Sequence, residues 1–122
     1  MDKSKVGKTG ELYAEKFLTS RGHRIIRKNY HSRYGEIDLI VLSQNGILIF
    51  IEVKTRTSNN FGYPEEAITR QKLQKILKTA FHFFQNYPEK FSTWRIDAIS
   101  VELTRTGKLK NIKHLKNLLD GA

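Results

Sequence analysis

Apolar positions along this chain recur at two different spacings. Gly10, Ala14, Phe17 and Leu18, with Val6 just ahead of them, fall at helical intervals, and Gly22 supplies a stop. The spacing predicts a first helix over about Thr9 to Arg21. Gly10 inside it costs ~1 kcal/mol relative to alanine, which implies the close approach of another backbone. Glu11 and Glu15 lie one turn apart and read as solvated acids near the helix start, where negative charge is favoured.

The pattern then turns to strands. Arg24 to Tyr30 mixes Ile25, Ile26 and Tyr30 with basic residues, as an edge strand does, and polar His31 to Tyr34 reads as a loop. Glu36 to Leu42 and Ile47 to Lys54 are nearly continuous apolar runs joined through Ser43-Gln44-Asn45-Gly46, a strong hairpin signal. Apolar residues on both faces of these strands imply a sheet covered on both sides. A polar stretch from Arg56 to Tyr63 leads to Pro64 and a short element around Ala67-Ile68. Thr69 is placed to cap a long helix over Arg70 to Asn86, with Leu73, Ile76, Leu77, Ala80, Phe81 and Phe84 as its apolar stripe. Phe83 lies off that stripe, and core packing is the reading preferred for it. Trp94 to Leu103 returns to strand pattern. After the turn at Thr106-Gly107-Lys108, the positions Leu109, Ile112, Leu115 and Leu118 fit a weak helix or a final edge strand equally. These elements define an α/β protein, read as one domain over residues 1–122.

Composition narrows the partners. The formal net charge is +10, from 22 Lys and Arg against 12 Asp and Glu, which favours a polyanion: nucleic acid first, an anionic membrane surface second. No apolar run is long enough to span a bilayer, and Met1-Asp2-Lys3-Ser4-Lys5 leads into no signal-peptide stretch. The chain has no cysteine, which excludes disulfides and thiolate chemistry and suits a reducing, cytoplasmic setting. The four histidines, His23, His31, His82 and His114, lack metal-ligand spacing and read as surface residues.

Charge inside the apolar strands is the chemical signal. Asp38 closes Gly35-Glu36-Ile37-Asp38, and Glu52 and Lys54 interrupt Phe50-Ile51-Glu52-Val53-Lys54. Such groups persist in apolar surroundings only when paired or bound to a cation. Glu52 and Lys54 are two apart on a strand and share a face. Asp38 joins them only in one hairpin register. A two-residue Asn45-Gly46 turn sets Asp38 opposite Val53, whereas a three-residue loop, Gln44-Asn45-Gly46 with Gly46 left-handed, sets it opposite Glu52. A bulge near Asp38 would have a similar effect. In that register the logic is phosphodiester hydrolysis. Asp38, Glu52 and the Val53 carbonyl offer hard oxygen ligands to Mg²⁺ or Mn²⁺, and Lys54 orients or deprotonates a water. Arg56, Arg70, Lys72 and Lys75 are the basic residues available for neighbouring phosphates. Glu36 is expected to face away and pair structurally, and Asp97, in a strand flanked by Arg95, to pair with a basic neighbour. Structural pairing of Lys54 with an acid is the alternative to catalysis.

Gly35-Glu36-Ile37-Asp38-Leu39-Ile40 followed by Phe50-Ile51-Glu52-Val53-Lys54-Thr55-Arg56 resembles the PD-(D/E)xK nuclease superfamily. Gly7-x-x-Gly10-Glu11-x-x-Ala14, Asn29-Tyr30, Phe61-Gly62-x-Pro64-Glu65-Glu66-Ala67, Lys72 and Arg95-Ile96-Asp97 extend the likeness over about Val6 to Val101, to the YraN-like family of small bacterial proteins. Ile37 stands where the superfamily has its nominal proline. The resemblance implies a restriction-endonuclease-like fold, a mixed central β-sheet flanked by helices. Similarity to archaeal Holliday-junction resolvases implies a site of Glu11, Asp38, Glu52 and Lys54, with Glu11 joining the metal ligands. It also favours DNA over RNA and branched or structured DNA over plain duplex. A non-catalytic nucleic-acid-binding module is the rival reading, and a homodimer is left open.

Overall fold

A computed structural model describes residues 2–57 and 68–120. The chain runs α1 (Lys3–Ser20), β1 (Arg24–Ser32), β2 (Gly35–Leu42), β3 (Leu48–Thr57), α2 (Arg70–Asn86), β4 (Trp94–Leu103) and β5 (Leu109–Leu115). The five strands form one mixed sheet in sequence order. Only β3 and β4 are parallel, joined by the crossover that contains α2, while every other neighbouring pair is antiparallel. The element read around Ala67-Ile68 and the Phe61–Ala67 motif lie outside the described residues, except that Ile68 itself has no regular structure.

α1 begins six residues before the start that periodicity indicates. Its lysine-rich first turn has no apolar stripe, yet the Asp2 carboxylate accepts the Lys5 N–H at 2.8 Å and caps it. At the other end Gly22 (φ +85°) closes the helix, its N–H donating to the Thr19 carbonyl and that of His23 to the Leu18 carbonyl. Glu11 and Glu15 therefore sit in mid-helix and not near its start. Glu15 is ion-paired to Lys28 on β1 at 2.6 Å. Gly10, Ala14 and Leu18 form the buried face. They pack with Leu39, Val41, Ile49, Ile51, Ile99 and Val101 on one side of the sheet.

α2 is capped by Thr69 Oγ1, which accepts the Lys72 N–H at 3.1 Å. It covers the opposite face, where Ile76, Ala80 and Phe83 pack on Ile37, Ile40, Leu48, Phe50 and Ile96. Phe83 is core, as preferred, but Phe81 does not belong to the stripe and is 49% exposed. The stripe runs Ile76, Ala80, Phe83, a phase that continues to Tyr87, whose ring stacks on Phe83.

One further sequence expectation is corrected and one open choice is decided. The His31–Tyr34 loop is shorter than read: His31 and Ser32 continue β1, and Arg33-Tyr34 alone turn the chain into β2. The C-terminal run is a strand, β5, which settles the choice that periodicity left open.

Nor are the histidines all surface residues. His114 Nε2 lies 2.7 Å from Asp97 Oδ2, with 9% of its side chain exposed, and His82 Nδ1 lies 2.6 Å from the Tyr30 hydroxyl. Asp97 is fully buried on β4 and also takes hydrogen bonds from Arg95 Nε and the Asn117 N–H. Burial alone would raise this carboxyl, but those three donors hold it below its ordinary value. The pairing with a basic neighbour expected from sequence is present in Arg95, extended to β5 and the residues that follow it.

The glycine at position 10 meets a side chain and not a backbone. A Cβ there would lie 2.6 Å from Thr55 Cβ and 2.5 Å from its Cγ2, so α1 rests on β3 with no room for a methyl group. Gly10→Ala gains ~1 kcal/mol of helix propensity, but overpacking costs ~1–3 kcal/mol. Chemical denaturation is expected to show a net loss. A gain would mean that α1 lifts from β3 freely.

Candidate active site

The site begins with the turn between β2 and β3. The Ser43 N–H donates to the Ile47 carbonyl at 2.9 Å and the Gly46 N–H to the Ser43 carbonyl at 3.0 Å, with Gly46 at φ +83°. This is the three-residue loop that the acid–lysine site requires. It pairs Leu42 with Leu48, Val41 with Ile49, Ile40 with Phe50 and Leu39 with Ile51, so the next step of the register sets Asp38 across from Glu52.

The ladder between these strands ends at that step. Asp38 Oδ2 accepts the Val53 N–H at 2.7 Å, replacing the main-chain bond a continued ladder would make. β2 also rotates here. Ile37 packs on the α2 side and Leu39 on the α1 side, although regular alternation would put both on one face. On the β1 side the register sets Asn29 beside Asp38, and Asn29 is in the left-handed region at φ 50°. The distortion turns Asp38 toward β3.

Asp38 and Glu52 are 8% and 5% exposed. Burial first, and then the charge of Glu52, raise the Asp38 carboxyl from its ordinary 3.8 to about 7, against the pull of the Val53 N–H. Glu52 is met by two ammonium groups: Lys72 Nζ at 2.7 Å from α2 and Lys54 Nζ at 3.5 Å from its own strand. Burial and the adjacent Lys72 push the Lys54 ammonium down, and Glu52 only partly restores it. Lys72 moves the other way: burial opposes its charge, but its bond to Glu52 raises it.

Two open cavities flank β3. One, of about 400 Å³, is lined among others by Gly35, Glu36, Glu52, Lys72 and Lys75. The other, of about 480 Å³ and on the α1 side, is lined by Lys3, Glu11, Val53, Lys54 and Arg56. Glu11 thus borders the strand that carries Glu52 and Lys54. Burial, then the charges of Glu36, Glu15 and Glu52, raise its carboxyl. Arg70 is exposed in the first turn of α2 and is not among the residues lining these cavities. Glu36 does not face away. It pairs with His31 at 3.1 Å, yet lines the Glu52 cavity.

Among the described residues, no three acidic or histidine side chains gather closely enough to form a metal cage. The donor set still fits Mg²⁺ or Mn²⁺. Such ions keep several waters and bind through one or two carboxylates together with substrate phosphate, and two buried acids in register, one holding its proton to about pH 7, are a pair a divalent cation would relieve. Two features escaped the sequence reading. The intimacy of Lys72 with Glu52 depends on how the crossover brings α2 back, which no local pattern shows. Ser100, in register with Lys54 on β4, is buried with no hydrogen-bond partner for its hydroxyl among the described residues. Its one signal was a small polar residue between Ile99 and Val101.

A mixed five-stranded sheet between two helices, opened beside an acid–lysine cluster, defines an α/β protein. The chain belongs to the uncharacterised protein family UPF0102, the YraN family, whose model matches residues 10–101. A UPF0102 protein of Sulfurihydrogenibium sp. (strain YO3AOP1) is 40% identical over 117 residues, covering 96% of each chain. Another, from Caldanaerobacter subterraneus subsp. tengcongensis, is 42% identical over 118 residues with 96% of each covered. Among solved structures, SfsA of Pyrococcus furiosus in complex with Ca²⁺ superposes with a TM-score of 0.35 at 13% identity. The match covers 95% of this chain but 64% of that one, and is too loose to speak to function. No helix among the described residues is long and apolar enough to cross a membrane.

The Asp38 shift fixes a stability profile. The unfolded carboxyl ionises near 3.8 and the folded one near 7, so between those values the folded chain binds more protons. Its contribution to stability therefore falls as pH rises through this window and stays unfavourable above it. Asp38→Asn has no charge to bury and keeps an oxygen for the Val53 N–H. In metal-free buffer it is expected to raise Tm at about pH 8 and change it little at about pH 4. An equal gain at both would show that packing, not ionisation, is responsible.

Proposed function

We propose that this chain is a Mg²⁺- or Mn²⁺-dependent endonuclease of the PD-(D/E)xK type, hydrolysing phosphodiester bonds in nucleic acid, with structured or branched DNA preferred over RNA. The observation that supports it most is the three-residue hairpin loop. It sets buried Asp38 across from Glu52, two residues from Lys54, which is the register a shared site needs.

Asp38 and Glu52 would hold the ion, with the Val53 carbonyl as a further oxygen, and Glu11, in the cavity on the α1 side, would add negative charge near it. When bound, the metal supplies charge neutralisation at the phosphate and an acidified water. The chain's own groups account for the rest. The Val53 N–H fixes the orientation of Asp38. Lys54, whose ammonium is lowered beside Lys72, orients a water and, in its neutral amine form, can take its proton as the water oxygen adds to phosphorus and the bond to the leaving sugar oxygen breaks, that oxygen taking a proton from solvent. Lys72 neutralises Glu52 until a phosphate arrives, then has its charge available for that phosphate. Lys75 and Arg56, on the two cavity walls, seat neighbouring phosphates, and Arg70 lies further out.

A second reading has one observation in its favour. Glu52 is already neutralised by Lys72 and Lys54, as it would be in a structural ion pair of a non-catalytic nucleic-acid-binding module.

Lys54→Ala separates the two. Removing one charge from a chain with 22 basic residues is expected to leave affinity for nucleic acid nearly unchanged. Cleavage of linear, flapped, four-way or single-stranded substrates should fall ~10²–10⁴-fold. Calorimetric titration with Mn²⁺ should show binding that Asp38→Asn and Glu52→Gln abolish. Equal losses of binding and cutting in Lys54→Ala, or unaltered Mn²⁺ affinity in both acid variants, would favour the binding module.

A further inference from the structure

A third cavity, of about 370 Å³, lies beyond the Glu52 cavity on the same side of the sheet, lined by Tyr34, Lys78, Phe81, His82 and Gln85. Neither the hydrolytic site nor the core accounts for it. Its two rings come from separate elements, Tyr34 from the turn between β1 and β2 and Phe81 from α2. Both are large apolar groups left in solvent, 37% and 49% exposed. A lone exposed phenylalanine needs no explanation. Two rings facing one cavity, each held in place, do. Phe81 rests edge-on against Trp94 with ring centroids 5.9 Å apart. Tyr34 is covered on one side by the Arg33 guanidinium, 4.9 Å from its centroid, whose Nη2 also donates to the tyrosine hydroxyl at 2.7 Å. The bond between Tyr30 and His82 at 2.6 Å ties β1 to the same turn of α2.

The surroundings are basic. Among the described residues no acid lines this cavity, and Lys72, Lys75 and Lys78 follow one another along α2 from Glu52 to Phe81. Nine residues of helix make that path ~14 Å long. Beside it, Glu36 lines the Glu52 cavity and is partnered by His31, and Asp38 is near enough for its charge to act on Lys72.

We propose that this groove binds a single-stranded segment of nucleic acid, its phosphates on the lysine row and its unstacked bases on Phe81 and Tyr34. Stacking on ring faces is open to any base but only outside a duplex, and alternation of basic and aromatic groups is how proteins hold single strands without reading sequence. The inference takes its ligand class from the function proposed above and narrows it: the substrate carries an unpaired strand next to the bond that is cut.

The test measures binding without cleavage. Fluorescence anisotropy of a labelled oligothymidylate and of a blunt duplex, both in EDTA, is compared for the unaltered protein, Phe81→Ala, Tyr34→Ala and Phe81→Trp. Each alanine variant is expected to lose roughly tenfold affinity for the single strand, with duplex affinity unchanged and Phe81→Trp retaining tight binding. Photocrosslinking with bromodeoxyuridine, mapped by mass spectrometry, should mark Tyr34 or Phe81. Thermal melting confirms that the variants fold. Unchanged single-strand affinity in both alanine variants overturns the proposal, as does a parallel loss for strand and duplex. It is equally overturned if sedimentation shows that Phe81→Ala dissociates a dimer while binding is intact, since the groove is then a contact between copies. Ring-dependent strand binding by a protein that cuts nothing would uphold the groove and reject the nuclease. Cutting that ignores both rings would do the reverse.

Discussion

A one-residue slip between paired strands turns every side chain of one strand to the opposite face. In most sheets hydrophobic burial forbids the slip, because one face is apolar and the other polar. β2 and β3 have no such protection. Ile37, Leu39, Ile40, Val41, Leu48, Ile49, Phe50 and Ile51 are all buried, divided between the two faces, so a slipped hairpin would still bury isoleucine and leucine on each side. Register must come from elsewhere. It is held by the closure of the loop at Ser43 and Gly46, and by charges that tolerate one surrounding only. Everything proposed for Asp38, Glu52 and Lys54 depends on that closure.

The two buried aspartates show what the fold does with charge. Asp97, wholly enclosed, receives Arg95, His114 and the Asn117 N–H, and is held ionised. Asp38, slightly less enclosed, receives one backbone N–H and faces Glu52, and is driven toward neutrality. The first arrangement satisfies its carboxylate and joins β4 to the chain's last described turn. The second leaves an electrostatic deficit at the place where β2 and β3 part. Strongly perturbed ionisable groups at a cleft are a general mark of sites that act on something.

Much of this was legible in the sequence because it was local. Strand composition, the Asn-Gly turn signal, the Thr69 cap and the spacing of Glu52 and Lys54 all act within a few residues, and the demand for a three-residue loop followed from those positions alone. What could not be read depended on partners distant in sequence. Phe81 and Phe83 are equally apolar, and only the angle at which α2 meets the sheet decides which ring is buried. His114 looked like a surface residue because Asp97 is on another strand. Glu36 is a different case: it stands two residues from Asp38 on β2, so strand alternation itself sets both on one side, and it lines the cavity of Glu52. The start of α1 escapes periodicity for a different reason: a capped helical turn whose one apolar residue is Val6 leaves no repeat to detect.

The edges of the sheet carry a consequence of their own. β1 and β5 are the outer strands, and their exposed positions include Arg24, Arg27 and Lys28 on one and Lys110 and Lys113 on the other. An unpaired strand edge is an open template for another chain, and a row of cations there is a common guard against it. With like charge on both borders, two copies brought border to border repel each other. Growth by strand addition, the commonest accident of open sheets, is opposed by that charge, of which Lys28 and Lys110 also serve ion pairs with Glu15 and Glu102.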